Sequence, residues 1–177
     1  MLEKKNYEVN KNISLPDSFI NGQALGAVSR MRYGLFPMSY NGCEMIAICN
    51  YMRLLGKKEN IAEVALEMYP KSSVLWGLFG SNPYRLKDYF SKRSMPERRI
   101  TDFKKFKTEF PAAGKGIVSF WTKRVLLSSI HTVAVEGTDN GGVRVYNCFN
   151  SRPDPVEYDS FDSFIKKKAR FIAGYMV

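Results

Sequence analysis

Apolar residues in the first two thirds of the chain recur at helical spacing, and one stretch is apolar almost all the way round. Residues 43–55, CEMIAICNYMRLL, place hydrophobic side chains around most of a helical circumference and stop before Gly56. We therefore expect a buried central helix there. Three more helices are expected where a capping signal precedes a periodic segment: residues 61–69 after Asn60, residues 83–91 from Asn82-Pro83, and residues 103–110 after Asp102.

The pattern becomes extended after Pro111. Residues 116–122, GIVSFWT, alternate and are rich in β-forming side chains. Two further strands are expected over residues 130–137 and 141–149, on either side of a turn at 138–140. Helices followed by strands indicate an α+β fold with an antiparallel sheet.

The ends of the chain carry weaker patterns. Ser160 is expected to cap a helix that runs to about residue 168, and residues 170–177 predict a final strand. Prolines and glycines punctuate residues 1–38, which we expect to form an irregular segment packed on the rest. Because no linker divides the chain, one domain over residues 1–177 is expected.

The composition is that of a packed globular domain, with 45% hydrophobic and 25% charged residues. No apolar run approaches the roughly 18 residues of a transmembrane helix. The opening stretch MLEKKNYEVN is charged, and no apolar segment of a secretory signal follows it. We therefore expect a cytoplasmic protein without a membrane span.

Basic residues outnumber acidic ones by 27 to 17, which gives a net charge of +10. Such a surface attracts anionic partners, of which an acidic protein is one candidate. The basic residues stand in short groups at loops or on polar helix faces, which is equally typical of a solvated surface. The chain has no nucleic-acid-binding signature and no Gly-rich phosphate loop, so nucleic acid is not an expected partner.

Metal and cofactor chemistry is not expected either. The three cysteines, Cys43, Cys49 and Cys148, and the single histidine, His131, match no zinc-site spacing. In a reducing compartment all three cysteines should be free thiols. The lone histidine confines imidazole chemistry to one place in the chain.

Cys43 stands where a nucleophile would stand, because it follows Asn41-Gly42 at the start of the predicted central helix. Free backbone N–H groups and the positive end of the helix dipole favour a thiolate at such a position. A neighbouring imidazolium would lower the thiol pKa further. The alternative interpretation is a small buried apolar residue, which is the commoner role of a cysteine.

The predicted hairpin places an amide opposite the histidine. A three-residue loop over 138–140 pairs Val135 with Val143, Val133 with Val145, and His131 with Asn147. The rival is a two-residue Asn140-Gly141 turn, which sets His131 against Asn150 but mismatches the valines. The valine pairing favours Asn147. The sequence thus offers a triad in which Cys43 attacks a carbonyl, His131 moves the proton and Asn147 holds the imidazole tautomer.

The stretch SYNGCEMIAICNYMRLLG resembles the nucleophile helix of bacterial papain-like cysteine peptidases, especially the peptidase C39-like branch. GIVSFWT followed by HTVAVEGTDNGGVRVYNCFNS resembles the sheet of the same group, and the likeness runs from about residue 40 to 151. The resemblance implies a papain-like fold. It also implies that Cys43 is the nucleophile, His131 the base and Asn147 the orienting residue.

The chain departs from that family at two positions. Family members usually carry an oxyanion-stabilising glutamine about six residues before the cysteine, where this chain has Pro37. The Cys43 backbone N–H, together with the side chain of Asn41 or of Gln23, the chain's only glutamine, could substitute. The second departure is Glu44, which stands where the family commonly has glycine and would oppose a thiolate beside it.

Several residues are candidates for lining the substrate cleft: Gly42, Glu44, Trp76, Trp121 and Ile130. For the two tryptophans the alternative is ordinary packing in the core or at its rim. The first hypothesis for function is a cysteine peptidase or amidohydrolase that works through an acyl-thioester on Cys43. The second is an acyl or glutamyl transferase with the same triad. The third is a catalytically silent papain-like module whose basic surface binds an acidic partner.

Overall fold

The fold was derived from a computed structural model, which describes residues 1–122, 129–165 and 169–176. The helices are α1 (Leu2–Asn10), α2 (Met38–Asn41), α3 (Cys43–Leu54), α4 (Ile61–Ser72), α5 (Leu86–Ser91), α6 (Phe103–Ala113) and α7 (Phe161–Phe164). The strands are β1 (Arg32–Tyr33), β2 (Phe36–Pro37), β3 (Arg98–Ile100), β4 (Lys115–Thr122), β5 (Ser129–Gly137), β6 (Val143–Tyr146), β7 (Val156–Tyr158) and β8 (Ala169–Met176).

Six strands form one antiparallel sheet in the order β3-β8-β4-β5-β6-β7, and β1 pairs with β2 in a separate ribbon. The helices precede most of these strands in the chain. The predicted α+β class with an antiparallel sheet is therefore confirmed. Within the described ranges, no helix combines the length and the apolar character needed to cross a membrane.

The sheet is covered on both faces. Helix α3 packs across β5 and β4, and every residue of α3 except Arg53 is buried, as a helix that is apolar all round requires. Ile117, Ala134 and Tyr175 on that face share a hydrophobic core with α3. The opposite face carries a second core under α6 and α7, made of Val118, Val133, Val135, Val143, Val145, Phe106, Phe110, Phe161 and Phe164.

The N-terminal segment is more ordered than its sequence pattern predicts, because α1 occupies residues expected to be irregular. The buried residues of α1 are asparagines, while Leu2 and Tyr7 pack only partly against the core. Asn6 Nδ2 donates to the Gly34 carbonyl (2.8 Å), and the Asn10 carboxamide both donates to and accepts from the backbone of Arg32 (2.8 Å each). A helix that docks through polar side chains has no hydrophobic period to detect.

The hairpin between β5 and β6 has a different register from the predicted one. Val135 faces Val145 and Gly137 faces Val143, which moves the pairing by two residues. The loop does have three residues, but they are 139–141, because the Thr138 N–H bonds the Gly142 carbonyl (3.0 Å). Gly141 takes the left-handed conformation (φ +81°) that closes such a loop. Charge pairs also stabilise this register, since Arg144 lies beside Glu136 (3.4 Å).

Other boundaries differ in smaller ways. Helix α4 continues through Pro70 to Ser72, where the prediction ended before the proline. Strands β3 and β7 are three-residue edge strands that the sequence pattern did not reveal. Of the helix predicted after Ser160, α7 forms one capped turn, and residues 166–168 lie outside the described residues.

Candidate active site

Cys43 is the first residue of α3 and is buried. The short helix α2 delivers the chain to it, and Gly42 joins the two helices. A Cβ on Gly42 would lie 2.6 Å from the Met38 Cβ and 2.7 Å from the Met38 carbonyl oxygen, so only glycine permits this junction. Gly42 was a candidate for lining the cleft, but it is buried and acts by letting α2 and α3 meet closely.

The electrostatics at Cys43 favour a neutral thiol in the resting protein. Burial raises the pKa of the Cys43 thiol to about 11. Backbone N–H groups of Thr132, Glu44 and Cys43 itself direct hydrogen bonds at the sulfur and offset part of that rise, whereas the carboxyl of Glu44 adds to it. The helix start does supply the expected N–H groups. The expected low-pKa thiolate is not supported, because desolvation outweighs them.

Strand β5 reaches Cys43 through the residue that follows His131. Thr132, whose N–H points at the Cys43 sulfur, follows His131 directly on β5. The ladder between β5 and β6 begins at Ala134 opposite Tyr146, so this part of β5 has no partner on β6. Helix α3 packs across β5, and the meeting of the Cys43 and His131 side chains stays a prediction.

The imidazole of His131 is held by Asn147, but not through the predicted atoms. His131 Nε2 lies 2.8 Å from the backbone carbonyl oxygen of Asn147. Because a carbonyl oxygen can only accept, Nε2 carries the proton, and Nδ1 is the basic nitrogen of the neutral ring. The Phe120 ring meets the imidazole edge-on, with the ring centroids 5.7 Å apart. The tautomer is thus set by a main-chain carbonyl.

Asn147 reaches this position because β6 ends one residue earlier. Its backbone is left-handed (φ +58°), a conformation that asparagine tolerates better than most residues, and this turns the chain out of the ladder. The side chain is fully buried and faces Gln23. Asn147 Oδ1 accepts from the Gln23 backbone N–H (3.0 Å), and Asn147 Nδ2 donates to Gln23 Oε1 (3.1 Å).

The two oxyanion candidates have different surroundings. Asn41 is buried, and its amide nitrogen donates to the carbonyls of Tyr33 (2.8 Å) and Gly77 (3.0 Å), which uses both hydrogens. Asn41 is therefore not an oxyanion donor in this structure. Gln23 Nε2 donates one hydrogen to the carbonyl of Ser39 (3.1 Å), four residues before the nucleophile. Its second amide hydrogen makes Gln23 the remaining side-chain candidate.

Glu44 does not line a cleft, contrary to its place among the cleft candidates. Only 1% of its surface is exposed, and its side chain enters the core between the tyrosine of β1, Tyr33, and the end of α4 at Ser72. Burial raises the pKa of the Glu44 carboxyl well above its usual value. Side chains point in all directions around a helix, and a segment that is apolar on all sides does not reveal which direction Glu44 takes.

The two tryptophans among the cleft candidates are both partly exposed. Trp76 is 64% exposed on the loop after α4, and that loop is tied to the nucleophile segment by the Asn41 bond to Gly77. Trp121 is 39% exposed and pairs with Ile130 across β4 and β5. Alternation along β4 places Trp121 on the face that α3 covers. These three cleft candidates remain compatible with a substrate groove.

The structure also shows contributors that the sequence did not single out. Asn21 Oδ1 accepts from the Asn147 backbone N–H (2.7 Å), so a second residue of the N-terminal segment holds this turn. The Thr132 N–H and the Asn147 carbonyl are backbone groups, which leave no trace in residue identity. In the described parts of the chain, no group of three or more His, Cys, Asp or Glu side chains is placed to hold a metal ion.

A scan against protein-family models found no match, and a search among curated proteins found none either.

Proposed function

We propose that this chain is a papain-like cysteine hydrolase, similar to the peptidase C39-like branch, that cleaves a peptide or amide bond through an acyl-thioester on Cys43. The observation that carries the proposal is the shared peptide unit. The Thr132 N–H contacts the Cys43 sulfur, and the preceding residue presents an imidazole fixed by the Asn147 carbonyl. We propose that Cys43, His131 and Asn147 act together as nucleophile, base and orienting group.

The proposed reaction begins with a neutral thiol. As the Cys43 sulfur bonds to the substrate carbonyl carbon, the thiol proton passes to His131 Nδ1, and the resulting imidazolium is stabilised through Nε2 by the Asn147 carbonyl. The tetrahedral intermediate collapses to the thioester as His131 returns the proton to the leaving amine. Water, deprotonated by His131, then attacks the thioester, and a carboxylic acid leaves as Cys43 recovers its proton.

The oxyanion of that intermediate needs hydrogen-bond donors. The backbone N–H of Cys43 at the start of α3 is one donor, and the helix dipole has the favourable sign there. The Gln23 amide is the proposed second donor, since it contacts the segment just before the nucleophile. Loss of one such donor typically costs about 10²–10³ in rate.

One observation favours the silent binding module as a second candidate. A thiol whose pKa is raised to about 11 is a poor nucleophile unless a base takes its proton during the attack. In that case the +10 charge would serve to bind an acidic protein. All three cysteines are free thiols, which suits either function in the cytoplasm, where we propose that the protein resides.

The test incubates a peptide library with the wild-type protein, with Cys43→Ala and with His131→Ala. Mass spectrometry measures the rate at which peptides are cleaved. We expect cleavage by the wild type, none by Cys43→Ala, and a loss of about 10²- to 10⁴-fold for His131→Ala. Cys49→Ala is the matched control, because Cys49 is a buried core residue six positions further along α3. Repeating the assay with added amines separates hydrolysis from acyl transfer.

Full cleavage by Cys43→Ala would refute the nucleophile. If the wild-type protein folds, cleaves no peptide in the library and resists alkylation of Cys43 at every pH, that combination would favour the catalytically silent binding module.

A further inference from the structure

A buried acid stands directly behind the proposed nucleophile. Glu44 follows Cys43 in the first turn of α3, and neither of its carboxyl oxygens has a hydrogen-bond partner of good geometry among the described residues. The groups nearest to it are hydroxyls. Ser72 at the end of α4 lies beside it, and the pKa values of Tyr33 and Tyr175 respond to its charge.

The hydrogen atoms of these hydroxyls are already used. Ser72 Oγ donates its single hydrogen to the Met68 carbonyl (3.1 Å), so Tyr33 must be the donor in the 2.9 Å contact between the Tyr33 and Ser72 hydroxyls. The hydroxyl of Tyr175 donates to the Pro83 carbonyl (2.8 Å). None of these three hydroxyls therefore offers a hydrogen to Glu44.

An ionised carboxylate in this place would be buried without donors, which is strongly unfavourable. A neutral carboxylic acid brings its own hydrogen, and Ser72 Oγ has a second lone pair to accept it. The surroundings of Glu44 thus fit the protonated acid and do not fit the anion.

We infer that Glu44 is held as a neutral acid behind Cys43 in the active protein, and that its ionisation switches the nucleophile off. The inference rests on the proposed function, because it concerns the regulation of the same site. A negative charge on the next residue, in a site shielded from water, opposes both the thiolate and the oxyanion that forms during attack. The device sets an upper pH limit on the chemistry at Cys43.

In the part of the chain that the structure describes, the elements packed around Glu44 supply no compensating cation. Its neighbours are Tyr33 from β1, Ser72 from α4, Tyr175 from β8 and Cys43 on its own helix. Arg99 lowers the pKa of Tyr175 and is not among the groups that shift the pKa of Glu44. Within the described residues, no lysine or arginine is among the groups that shift the Glu44 pKa. Its ionisation therefore acts on Cys43 without an intervening counter-ion.

The experiment measures the rate at which iodoacetamide alkylates Cys43 from about pH 5 to 10.5, with the labelled peptide quantified by mass spectrometry. The proteins are the wild type, Glu44→Gln, and Glu63→Gln as a control that removes an exposed carboxylate from α4. We expect equal rates at acid pH and divergence as Glu44 ionises, with Glu44→Gln alkylated about 10- to 10³-fold faster at the alkaline end of the range. Glu63→Gln should follow the wild type.

The outcomes separate this inference from the proposed function. If Cys43 is alkylated with the same pH profile in the wild type and in Glu44→Gln, the inference about Glu44 fails while the nucleophile stands. If Cys43 reacts at no pH in either protein, the proposed function fails and this inference falls with it.

A measurement on the wild type covers the case in which Glu44→Gln does not fold. Side-chain carboxyl carbons labelled with ¹³C on glutamate report each titration by NMR. We expect two resonances to titrate above the usual range, one of which belongs to Glu97, whose pKa burial raises to about 7, and disappears in Glu97→Gln. Absence of the second would mean that Glu44 ionises normally, which overturns the inference.

Discussion

Asn147 serves the site through two different groups. Its backbone carbonyl accepts from His131 Nε2, while its carboxamide bonds Gln23 through two hydrogen bonds. The left-handed backbone at φ +58° is what allows one residue to face both ways. An asparagine is required at this position for its conformation and its amide together, and the contact with the imidazole alone would not demand it.

Substitutions at this position separate the two requirements. Asn147→Ala should lower the free energy of unfolding by about 2–4 kcal/mol, because it leaves Gln23 unpaired and forces a Cβ without a stabilising amide into a left-handed backbone. Asn147→Gly should lose less, since glycine accepts that backbone freely. Urea unfolding measures both values.

Asn150→Ala is the control for this series, because Asn150 is exposed and uses its backbone carbonyl to accept from Ala24 (2.8 Å). We expect a change within about 0.5 kcal/mol. If Asn147→Gly were as unstable as Asn147→Ala, the conformational part of the argument would be wrong.

At the scale of elements, α1 shows how a helix can dock mainly through buried polar side chains. Its buried residues are Asn6 and Asn10, which bond the backbone of the β1 region. The Asn10 carboxamide pairs with the Arg32 N–H and carbonyl as a neighbouring strand would. The helix therefore closes the edge of the small ribbon of β1 and β2.

This docking predicts a large difference between two asparagines of the same segment. Asn10→Ala removes two buried hydrogen bonds and leaves the Arg32 groups unpaired, so the free energy of unfolding should fall by about 2–4 kcal/mol. Asn12→Ala should change it by less than about 0.5 kcal/mol, because Asn12 is exposed and only donates to the Glu8 carbonyl (2.7 Å). Thermal unfolding followed by circular dichroism compares the two, and equal losses would contradict the docking role of Asn10.

The β5–β6 hairpin illustrates how turn chemistry decides a register. The predicted pairing of Val135 with Val143 and the observed pairing with Val145 keep the same residues on the same face, because they differ by two positions. The apolar pattern cannot distinguish them. Gly142 distinguishes the two registers. A Cβ on Gly142 would lie 2.6 Å from the Tyr158 carbonyl oxygen of β7, so a glycine is needed directly after the loop, which therefore begins one residue later than predicted.

At the scale of the whole molecule, buried acids link stability to pH. Burial raises the pKa of Glu44 and of Glu97, so the folded state binds more protons than the unfolded state above the usual glutamate pKa of 4.5. Glu67 acts in the opposite sense. Burial alone would raise its pKa, but hydrogen bonds from Arg93 and Lys92 bring that pKa below 4.5.

The free energy of unfolding should therefore decline as the pH rises above about 4.5, with a slope of up to about 1.4 kcal/mol per pH unit from Glu44. Glu97 adds to the decline until about pH 7. Below 4.5 the Glu67 contribution is lost as the pH falls through its lowered pKa. Urea unfolding at a series of pH values tests the signs: Glu97→Gln should remove the part that ends near pH 7, and a rise in wild-type stability from pH 5 to 8 would contradict the assignment.

The sequence by itself determined the features that depend on neighbouring residues. The start of α3 at Cys43, the caps Asn60 and Asp102, and the α+β order of elements all follow from local periodicity and capping, which the tertiary contacts reinforce. It also brought His131 and Asn147 to the same hairpin, since the strands that carry them are joined by one short turn.

Only the tertiary structure decided which atoms meet. Gln23 and Asn21 reach Asn147 across more than 120 residues of chain, and such a contact has no local signal. The inward direction of Glu44 depends on how α3 is rotated against the sheet, which an all-round apolar helix leaves undetermined. The Asn147 carbonyl and the Thr132 N–H are backbone groups common to nearly every residue, so their roles arise from the fold and not from residue identity.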